Sequence, residues 1–221
     1  MSRATTHEVA TIARSAQGTR LNRRGLQTRA HILAVAVRLL ARGGTDVASA
    51  NLVAREAGVT WGTIQHQFGD TDGVWAAVVE HASRRWASSF VLDATTGATV
   101  EARVRAIVAA MWDTLDDETV RAVTNLRQLL PHDPDPLDTR FPATAAALRR
   151  WDAAWNTAWD DIFHGLVRSN AKLRRVRSLL PGAVLGLHAE SRRTTFVDTD
   201  GARHALVDAL ALYLQGPARR R

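Results

Sequence analysis

Apolar residues recur at intervals of three and four along most of this chain, a spacing that places them on one face of an α-helix. Glycine, proline and N-cap residues separate the resulting segments. No convincing strand pattern interrupts them. The pattern therefore predicts an all-α protein. Its helices are expected at residues 28–42, 51–57, 60–68, 71–92, 99–115, 137–167 and 201–214. Two more are expected, one capped by Asp116 or Asp117 that runs to Leu130, and one that begins at Lys172 or Pro181 and ends at Glu190.

Residues 49–70 predict two short helices joined by a tight turn. Gly58 takes a positive φ at low cost, so it can end the first helix and reverse the chain, and Thr60 is a suitable N-cap for the second. Three apolar residues then close a small core: Val59, Ile64 and Phe68. The other side chains of the second helix are expected to face outward: Trp61, Gly62, Thr63, Gln65, His66 and Gln67. A short second helix with an exposed face of this kind is how a helix-turn-helix reads the DNA major groove.

The order of motifs around this turn resembles the DNA-binding region of the TetR family of bacterial transcriptional regulators, over residues 24–80. The family shows a preceding helix, an alanine-glycine-valine turn, a glycine-threonine pair and a phenylalanine that closes the recognition helix. The corresponding residues here are 28–44, 57–59, 62–63 and 68.

Three positions depart from the family pattern. The family usually has a tyrosine where this chain has Gln65, often a lysine where it has Trp61, and commonly a lysine where it has Thr71. Those family residues mostly hold DNA phosphates. Basic residues elsewhere in this chain are therefore expected to supply part of the phosphate contact.

The resemblance implies an all-α homodimer with an N-terminal three-helix helix-turn-helix DNA-binding domain and a C-terminal helical dimerisation and ligand-binding domain. It also implies a repressor that leaves a palindromic DNA operator when a small apolar or aromatic effector binds. An effector-independent architectural or non-repressing DNA-binding protein is the alternative. The expected divisions are a basic flexible arm at 1–23, the DNA-binding domain at 24–70, the regulatory domain at 71–216 and a basic tail at 217–221.

Two sets of residues are expected to contact DNA. Base edges are expected to meet Trp61, Gly62, Gln65 and His66; a glutamine can offer a donor and an acceptor to adenine. Phosphates are expected to meet short polar side chains near helix N-termini, and two arginines. These residues are Thr28, Ser49, Thr60, Thr63, Gln67, Arg23 and Arg24.

Charge agrees with a polyanionic partner, because the net charge is +7 and the pI is about 11.2. Residues 1–30 hold six arginines and a single acidic residue, Glu8. This stretch can enter the minor groove or lie along phosphates, as basic arms of some helix-turn-helix proteins do. A solubilising tail is the alternative.

A stripe with three tryptophans marks the long helix predicted after residue 137: Leu148, Trp151, Trp155, Trp159, Ile162 and Leu166. Such a stripe is either bulky helix-packing core or part of the wall of an apolar ligand pocket. Trp86 and Trp112, on the predicted fourth and fifth helices, are similar candidates. The expected pocket residues are Trp86, Trp112, Trp151, Trp155 and Trp159.

The last two predicted helices resemble the dimerisation elements of the family. Two such helices from each subunit would form a four-helix bundle around a two-fold axis. The expected interface residues are Leu180, Val184, Leu187, Leu206, Leu210 and Tyr213. The same residues can instead complete the core of a monomer.

Several classes of function find no support in the sequence. The chain has no cysteine, and its histidines and acids show no metal-ligand spacing, so neither a metal nor another cofactor is expected. It has no phosphate loop or nucleophile elbow, which argues against an enzyme. No apolar run approaches the ~20 residues that cross a bilayer, and the N-terminus lacks the apolar core of a signal peptide. A cytoplasmic protein without membrane contact is expected.

Overall fold

The computed structural model describes residues 15–43, 49–94, 97–193 and 196–217, which form ten α-helices and no β-strand. The predicted all-α fold is confirmed. The helices are α1 Arg23–Arg42, α2 Ala50–Glu56, α3 Trp61–Phe68, α4 Thr71–Ala94, α5 Val100–Thr114, α6 Glu118–Leu129, α7 Pro134–Arg140, α8 Pro142–Ile162, α9 Asn170–Ser191 and α10 Thr199–Gln215. None of these helices is long and apolar enough to cross a membrane.

The described residues form two hydrophobic cores. The first lies among the four N-terminal helices, α1, α2, α3 and α4, and these pack there against α6 and the start of α8. Ile32, Leu40, Ile64 and Trp75 are among its fully buried side chains. Helix α6 lies along α1, and the Asn125 side chain on α6 donates a hydrogen bond of 2.8 Å to the carbonyl of Leu40. That bond satisfies a main-chain acceptor near the C-terminus of α1, which a helix end otherwise leaves without a partner.

A second core lies among α5, the C-terminal half of α8, α9 and α10. Its largest buried side chains are Trp159 and Phe163, whose rings stack with centroids 5.2 Å apart. Helix α4 packs against both α5 and α8, so it connects the two cores.

The N-termini of α4 and α8 are joined through Asp72, which is 8% exposed. Its carboxylate accepts hydrogen bonds from the main-chain N–H groups of Ala143 (2.7 Å) and Thr144 (2.8 Å). The Thr144 hydroxyl donates in return to the Asp72 carbonyl at 3.1 Å. An acidic residue in the first turn of α4 therefore caps the N-terminus of a helix that begins about 70 residues later.

The predicted long helix at 137–167 is wrong, because the structure has two helices there. Helix α7 ends at Arg140 and α8 begins at Pro142, with Phe141 between them at φ −139° and ψ +58°. The ring of a proline disfavours the helical conformation in the preceding residue, which explains the break at Phe141. Pro134 and Pro136 lie at the start of α7, where a missing N–H costs nothing.

Helix α9 runs from Asn170 to Ser191 with Pro181 inside it. Of the two predicted starts, the one near Lys172 is therefore correct and the one at Pro181 is wrong. Lys172 is 7% exposed, and its ammonium donates to the carbonyls of Tyr213 and Gly216 at 2.6 Å each. This buried cation satisfies carbonyls at the C-terminus of α10 and thereby holds α9 to α10.

Candidate nucleic-acid interface and interior cavity

The predicted helix-turn-helix is confirmed as a backbone geometry. Helix α2 ends at Glu56, and Gly58 reverses the chain with φ +64°, a conformation that strains any residue with a Cβ. Thr60 is the N-cap of α3, and its hydroxyl accepts a 3.2 Å hydrogen bond from the N–H of Thr63. The second helix therefore begins where the sequence placed it.

The outward face of α3 presents Trp61, Gly62 and Gln65 to solvent, with Trp61 38% exposed. His66 is half-buried beside them. A Cβ added at Gly62 would meet only the Thr60 hydroxyl, at 3.8 Å, so this position allows close approach to another surface. All four residues predicted to meet base edges share this face or its border.

Gln67 corrects the prediction of an outward-facing phosphate contact. Gln67 is 4% exposed, and its side-chain oxygen is buried without a hydrogen-bond partner among the described residues. Gln67 lies three residues after Ile64 and next to Phe68, so the helical period places it on the buried face. It cannot reach a phosphate without unfolding the end of α3.

Arg29 on α1 holds the buried end of α3, which the sequence did not reveal. Its guanidinium lies 4.1 Å from the centroid of the Phe68 ring and donates to the carbonyl of Gln67. Burial lowers the pKa of Arg29 from its ordinary value, with a further lowering by Arg84 against the opposing effect of Glu80. This arginine therefore positions the recognition helix and is not one of the exposed cations.

Part of the predicted arm at 1–23 lies beside α3, at Ala16 and Gln17; residues 1–14 lie outside the described residues. Ser15 is 6% exposed and closes a turn with Thr19 through a 2.8 Å main-chain bond. The N–H of Ala16 donates to the carbonyl of His66 at 3.2 Å. The side-chain oxygen of Gln17 lies 3.0 Å from Nδ1 of His66. We call residues 15–19 the N-terminal clasp.

The arginines predicted at phosphates lie in the first turn of α1 rather than in an arm. Arg23 and Arg24 are exposed. Asn22 caps the helix, because its side-chain oxygen accepts a 2.8 Å hydrogen bond from the N–H of Gly25. Asparagine is a typical N-cap residue, so the sequence did contain a signal that α1 begins after Asn22. The spacing of apolar residues alone did not reveal this start. The Ser15–Thr19 turn has no comparable signal.

The predicted phosphate-contact residues with hydroxyl groups lie at or near the surface. Thr28 donates its hydroxyl to the carbonyl of Arg24 at 3.0 Å. Ser49 is the N-cap of α2, and its side chain makes no capping hydrogen bond there. The hydroxyls of Thr60 and Thr63 lie 3.0 Å apart at the start of α3. Of the predicted basic tail at 217–221, the structure describes Pro217 alone; residues 218–221 lie outside the described residues.

A cavity of about 870 Å³ lies between α4, α5, α6, α8 and α9. Trp86, Trp151 and Trp155 line it, and the rings of Trp86 and Trp155 have centroids 5.3 Å apart. The other apolar residues of the wall are Met111, Leu115, Val120, Val123, Pro181 and Leu185. The cavity reaches solvent at exposed lining residues such as Gln128 and Ser178.

Two of the five tryptophans predicted at a pocket lie elsewhere. Trp159 is 0% exposed in the second core, and its indole N–H has no partner among the described residues. Trp112 packs edge-on against His188 at 5.2 Å, with Arg203 4.8 Å above its ring. Neither lines the cavity. Trp159 lies one helical turn after Trp155 on α8, in the part of the helix that packs into the second core.

The polar residues of the cavity include two arginines and one carboxylate. Arg127 forms a 3.1 Å ion pair with Asp152 and lies 5.8 Å from the centroid of the Trp151 ring. Arg177 has only 13% of its side chain exposed. An apolar wall with a few convergent polar groups is typical of a small-molecule site.

Three of the six residues predicted at a dimer interface lie in the core of one chain. Leu180, Val184 and Leu210 are at most 5% exposed, because their faces of α9 and α10 pack against α5 and α8. Leu187 and Leu206 are half-buried, and Tyr213 is 38% exposed. The large apolar side chains that these two helices turn outward are Leu179, Leu185, Leu212 and Tyr213.

Comparison with known proteins agrees with this geometry. Residues 32–78 match the model of the bacterial regulatory proteins of the tetR family. The HTH-type transcriptional regulator BetI of Burkholderia mallei (strain NCTC 10229) is 39% identical over 71 residues, 32% of this chain and 35% of that protein. BetI of Paraburkholderia phymatum is 41% identical over 71 residues, with the same coverage. This chain thus spans about a third of the length of these curated relatives.

Solved structures share the fold over most of the chain. The multidrug binding protein EbrR complexed with imidazole has a TM-score of 0.62 at 19% identity, covering 91% of this chain and 98% of that one. The fatty acid degradation regulator FadR from Bacillus halodurans has a TM-score of 0.58 at 19% identity, covering 87% and 97%.

The names of the matched proteins describe regulators and not enzymes, which supports the prediction that this chain is not an enzyme. The family match covers the turn at Gly58, the outward face of α3 and the start of α4. Over this N-terminal region, the chain is similar to the tetR family of bacterial regulatory proteins.

Proposed function

We propose that this chain is a transcriptional repressor that binds an operator as a homodimer through α3 and leaves it when a small effector fills the cavity. The outward face of α3, with Trp61, Gly62 and Gln65 exposed on a capped helix, is the observation that carries the proposal. The family match over residues 32–78 and the BetI relatives support it.

Base readout depends on the chemistry of that face. The Gln65 side chain has both an amide donor and a carbonyl acceptor, which match the N7 and N6 positions of adenine in the major groove. Trp61 can pack on a thymine methyl group or on sugar, and Gly62 lets the helix backbone come close. Thr60 and Thr63 at the N-terminus of α3, with Arg23 and Arg24 at that of α1, supply phosphate contacts that fix the register.

Release follows from the position of α4. Trp86 of α4 lines the cavity, and the N-terminal part of the same helix packs against α3. An effector that binds more tightly to a form with the wrong spacing of recognition helices reduces operator affinity by that difference in binding free energy. The cavity supports this effector-responsive form over an effector-independent DNA-binding protein.

The exposed side of α9 and α10 is the proposed dimer surface. Leu179, Leu212 and Tyr213 lie there, in place of the three residues that pack into the chain's own core. Gly186 has no atom within 4 Å of an added Cβ and does not line the cavity, so a partner helix can approach α9 closely at this position. A dimer can place two recognition helices about 34–36 Å apart, in successive major grooves.

Changing Gln65 to alanine tests base readout. The variant is expected to lose about 1–3 kcal/mol of binding free energy at one base pair, because a bidentate contact is removed. The measurement is fluorescence anisotropy on the preferred duplex and on single-base variants of it. Gln215→Ala, exposed at the end of α10, is the matched control and should bind as the wild type does. An unchanged affinity and base preference for Gln65→Ala would remove this residue from the reading surface.

Changing Gln17 to alanine tests whether the N-terminal clasp positions His66. A hydrogen on Nδ1 of His66 donates to the Gln17 oxygen, which leaves Nε2 as the acceptor toward DNA. The variant is expected to weaken the base preference read by His66 while the melting temperature stays within a few degrees. Base preference is measured by fluorescence anisotropy on the single-base duplex variants, and the melting temperature by circular dichroism of the free protein.

A double-mutant cycle separates positioning from a direct contact. If Gln17 acts through His66, Gln17→Ala should have no further effect on base preference in a His66→Ala background. A full additional loss in that background would show that Gln17 contacts DNA by itself.

A further inference from the structure

We infer that the cavity binds a carboxylate with a planar apolar body, and that Arg177 holds the carboxylate group. This inference rests on the proposed function, because the ligand would be the effector. It specifies the charge and shape of that effector from the side chains that line the cavity.

Arg177 supplies donors without matching acceptors. Only 13% of its side chain is exposed, although it lines the cavity. Both of its hydrogen bonds leave from Nη1, to the main-chain oxygen of Asn156 at 3.2 Å and to the Asp160 carboxylate at 3.5 Å. Within the described residues, Nε and Nη2 have no acceptor. Nearly buried polar groups are usually hydrogen-bonded, so this edge of the guanidinium lacks its partner.

The missing partner fits a carboxylate. The N–H groups on Nε and Nη2 point in parallel, which matches the two oxygens of a carboxylate and gives a pair of charge-assisted hydrogen bonds. The nearest carboxylate of the protein, that of Asp160, has 67% of its side chain exposed, so solvent screens its charge.

The remaining charges of the cavity favour an anion over a cation. Among the described residues that line the cavity, Asp152 is the one carboxylate, and it is already paired with Arg127 at 3.1 Å. Arg127 in turn lies over the ring of Trp151, at 5.8 Å from its centroid. A cationic ligand would meet two guanidinium groups and no unpaired acid among the lining residues, whereas an anion meets Arg177 with open donors.

The apolar wall defines the body of the ligand. The rings of Trp86 and Trp155 lie 5.3 Å apart at an interplanar angle of 54°, and Met111 and Leu115 border the same space. Indole faces and edges pack best against other flat ring systems. A volume of about 870 Å³ accommodates a ligand of two or more fused rings with its carboxylate.

Three ligands of matched shape test the charge requirement on the wild-type protein by isothermal titration calorimetry: 2-naphthoate, 2-naphthamide and 2-naphthylmethylammonium. We expect 2-naphthoate to bind about 10- to 100-fold more tightly than the amide, as hydrogen bonds to a charged group imply, and the ammonium compound to bind most weakly. Equal affinity for all three, or preference for the ammonium compound, would overturn the inference, as would the absence of any binding.

Arg177→Gln tests the anchor, with Arg121→Gln as the matched control. Arg121 is exposed on α6 and does not line the cavity. Arg177→Gln should remove the preference for 2-naphthoate over 2-naphthamide while affinity for the amide persists, and the control should keep that preference. A preference retained in Arg177→Gln would overturn the assignment of this residue. The comparison of three ligands on the wild type decides the charge requirement even if the variant does not fold.

Operator release is scored separately, by anisotropy of the preferred duplex with added 2-naphthoate. Selective binding without release would contradict the proposed function and leave the carboxylate site standing. Release by 2-naphthamide as strongly as by 2-naphthoate would support the proposed function and overturn the carboxylate requirement.

Discussion

Replacing Gly73 with alanine is expected to lower the free energy of unfolding by at least about 3 kcal/mol, the upper range for overpacking. A Cβ at this position would lie 1.8 Å from the main-chain oxygen of Phe68, far inside any allowed contact. The clash is with backbone, so no side chain can rotate to relieve it. Helix α4 would have to move away from the end of α3, and the recognition helix would lose its support.

Gly62→Ala is the matched control for Gly73→Ala, because it adds the same methyl group in the neighbouring helix. Its Cβ would meet only the Thr60 hydroxyl at 3.8 Å, and alanine favours a helix over glycine by about 0.5–1 kcal/mol. Urea unfolding followed by circular dichroism, at one fixed protein concentration, measures both variants. A Gly73→Ala protein as stable as the wild type would contradict the close approach of α4 to Phe68.

Replacing Asp72 with asparagine is expected to cost about 2–3 kcal/mol of stability, because hydrogen bonds to a charged group are lost in a buried place. The Asp72 carboxylate accepts from the N–H groups of Ala143 and Thr144 at the start of α8. An asparagine side chain has a single oxygen, so one of these donors would face an NH₂ group. The bond between the N-termini of α4 and α8 would open.

Asp70→Asn is the control for Asp72→Asn, since Asp70 is exposed and accepts one hydrogen bond, from the N–H of Gly73 at 2.9 Å. Asparagine caps a helix as well as aspartate does, so little change in stability is expected. The same urea titrations apply, with the melting temperature as a second measure. Equal stabilities for Asp72→Asn and Asp70→Asn would show that the buried contact between α4 and α8 contributes nothing.

The helix-turn-helix could be predicted from sequence because its determinants are local. Gly58 and Thr60 set the turn and the cap within a few residues, and the buried faces follow the helical period. The same period, applied strictly, would have placed Gln67 with Ile64 on the buried face. The break before Pro142 was also a local signal, because the residue before a proline avoids the helical conformation.

The contacts that build the site from distant parts of the chain left no such signal. The pairing of Asp72 with Thr144 joins residues 72 positions apart, and that of Gln17 with His66 joins residues 49 apart. The position of one residue of each pair along the sequence does not predict which distant residue it contacts.

The apolar stripes had a different ambiguity. Core, cavity wall and dimer surface all select apolar side chains, so the stripe on α8 could not show that Trp155 lines the cavity while Trp159 lies in the core. On α9 and α10 the most regular stripe marked the chain's own core, and the exposed Leu179 and Leu212 fell outside it. Helix packing angles, which depend on the whole fold, decide these cases.

Selection of bound sequences from a random duplex library, at physiological salt, tests the proposed operator recognition most directly. A homodimer that reads DNA through α3 should enrich a palindrome whose half-sites are about 10 bp apart. Changing the wild type to Gln65→Ala in the same selection should relax one position in each half-site. Binding that depends on salt but enriches no sequence, or no binding at all, would contradict sequence-specific regulation by this chain.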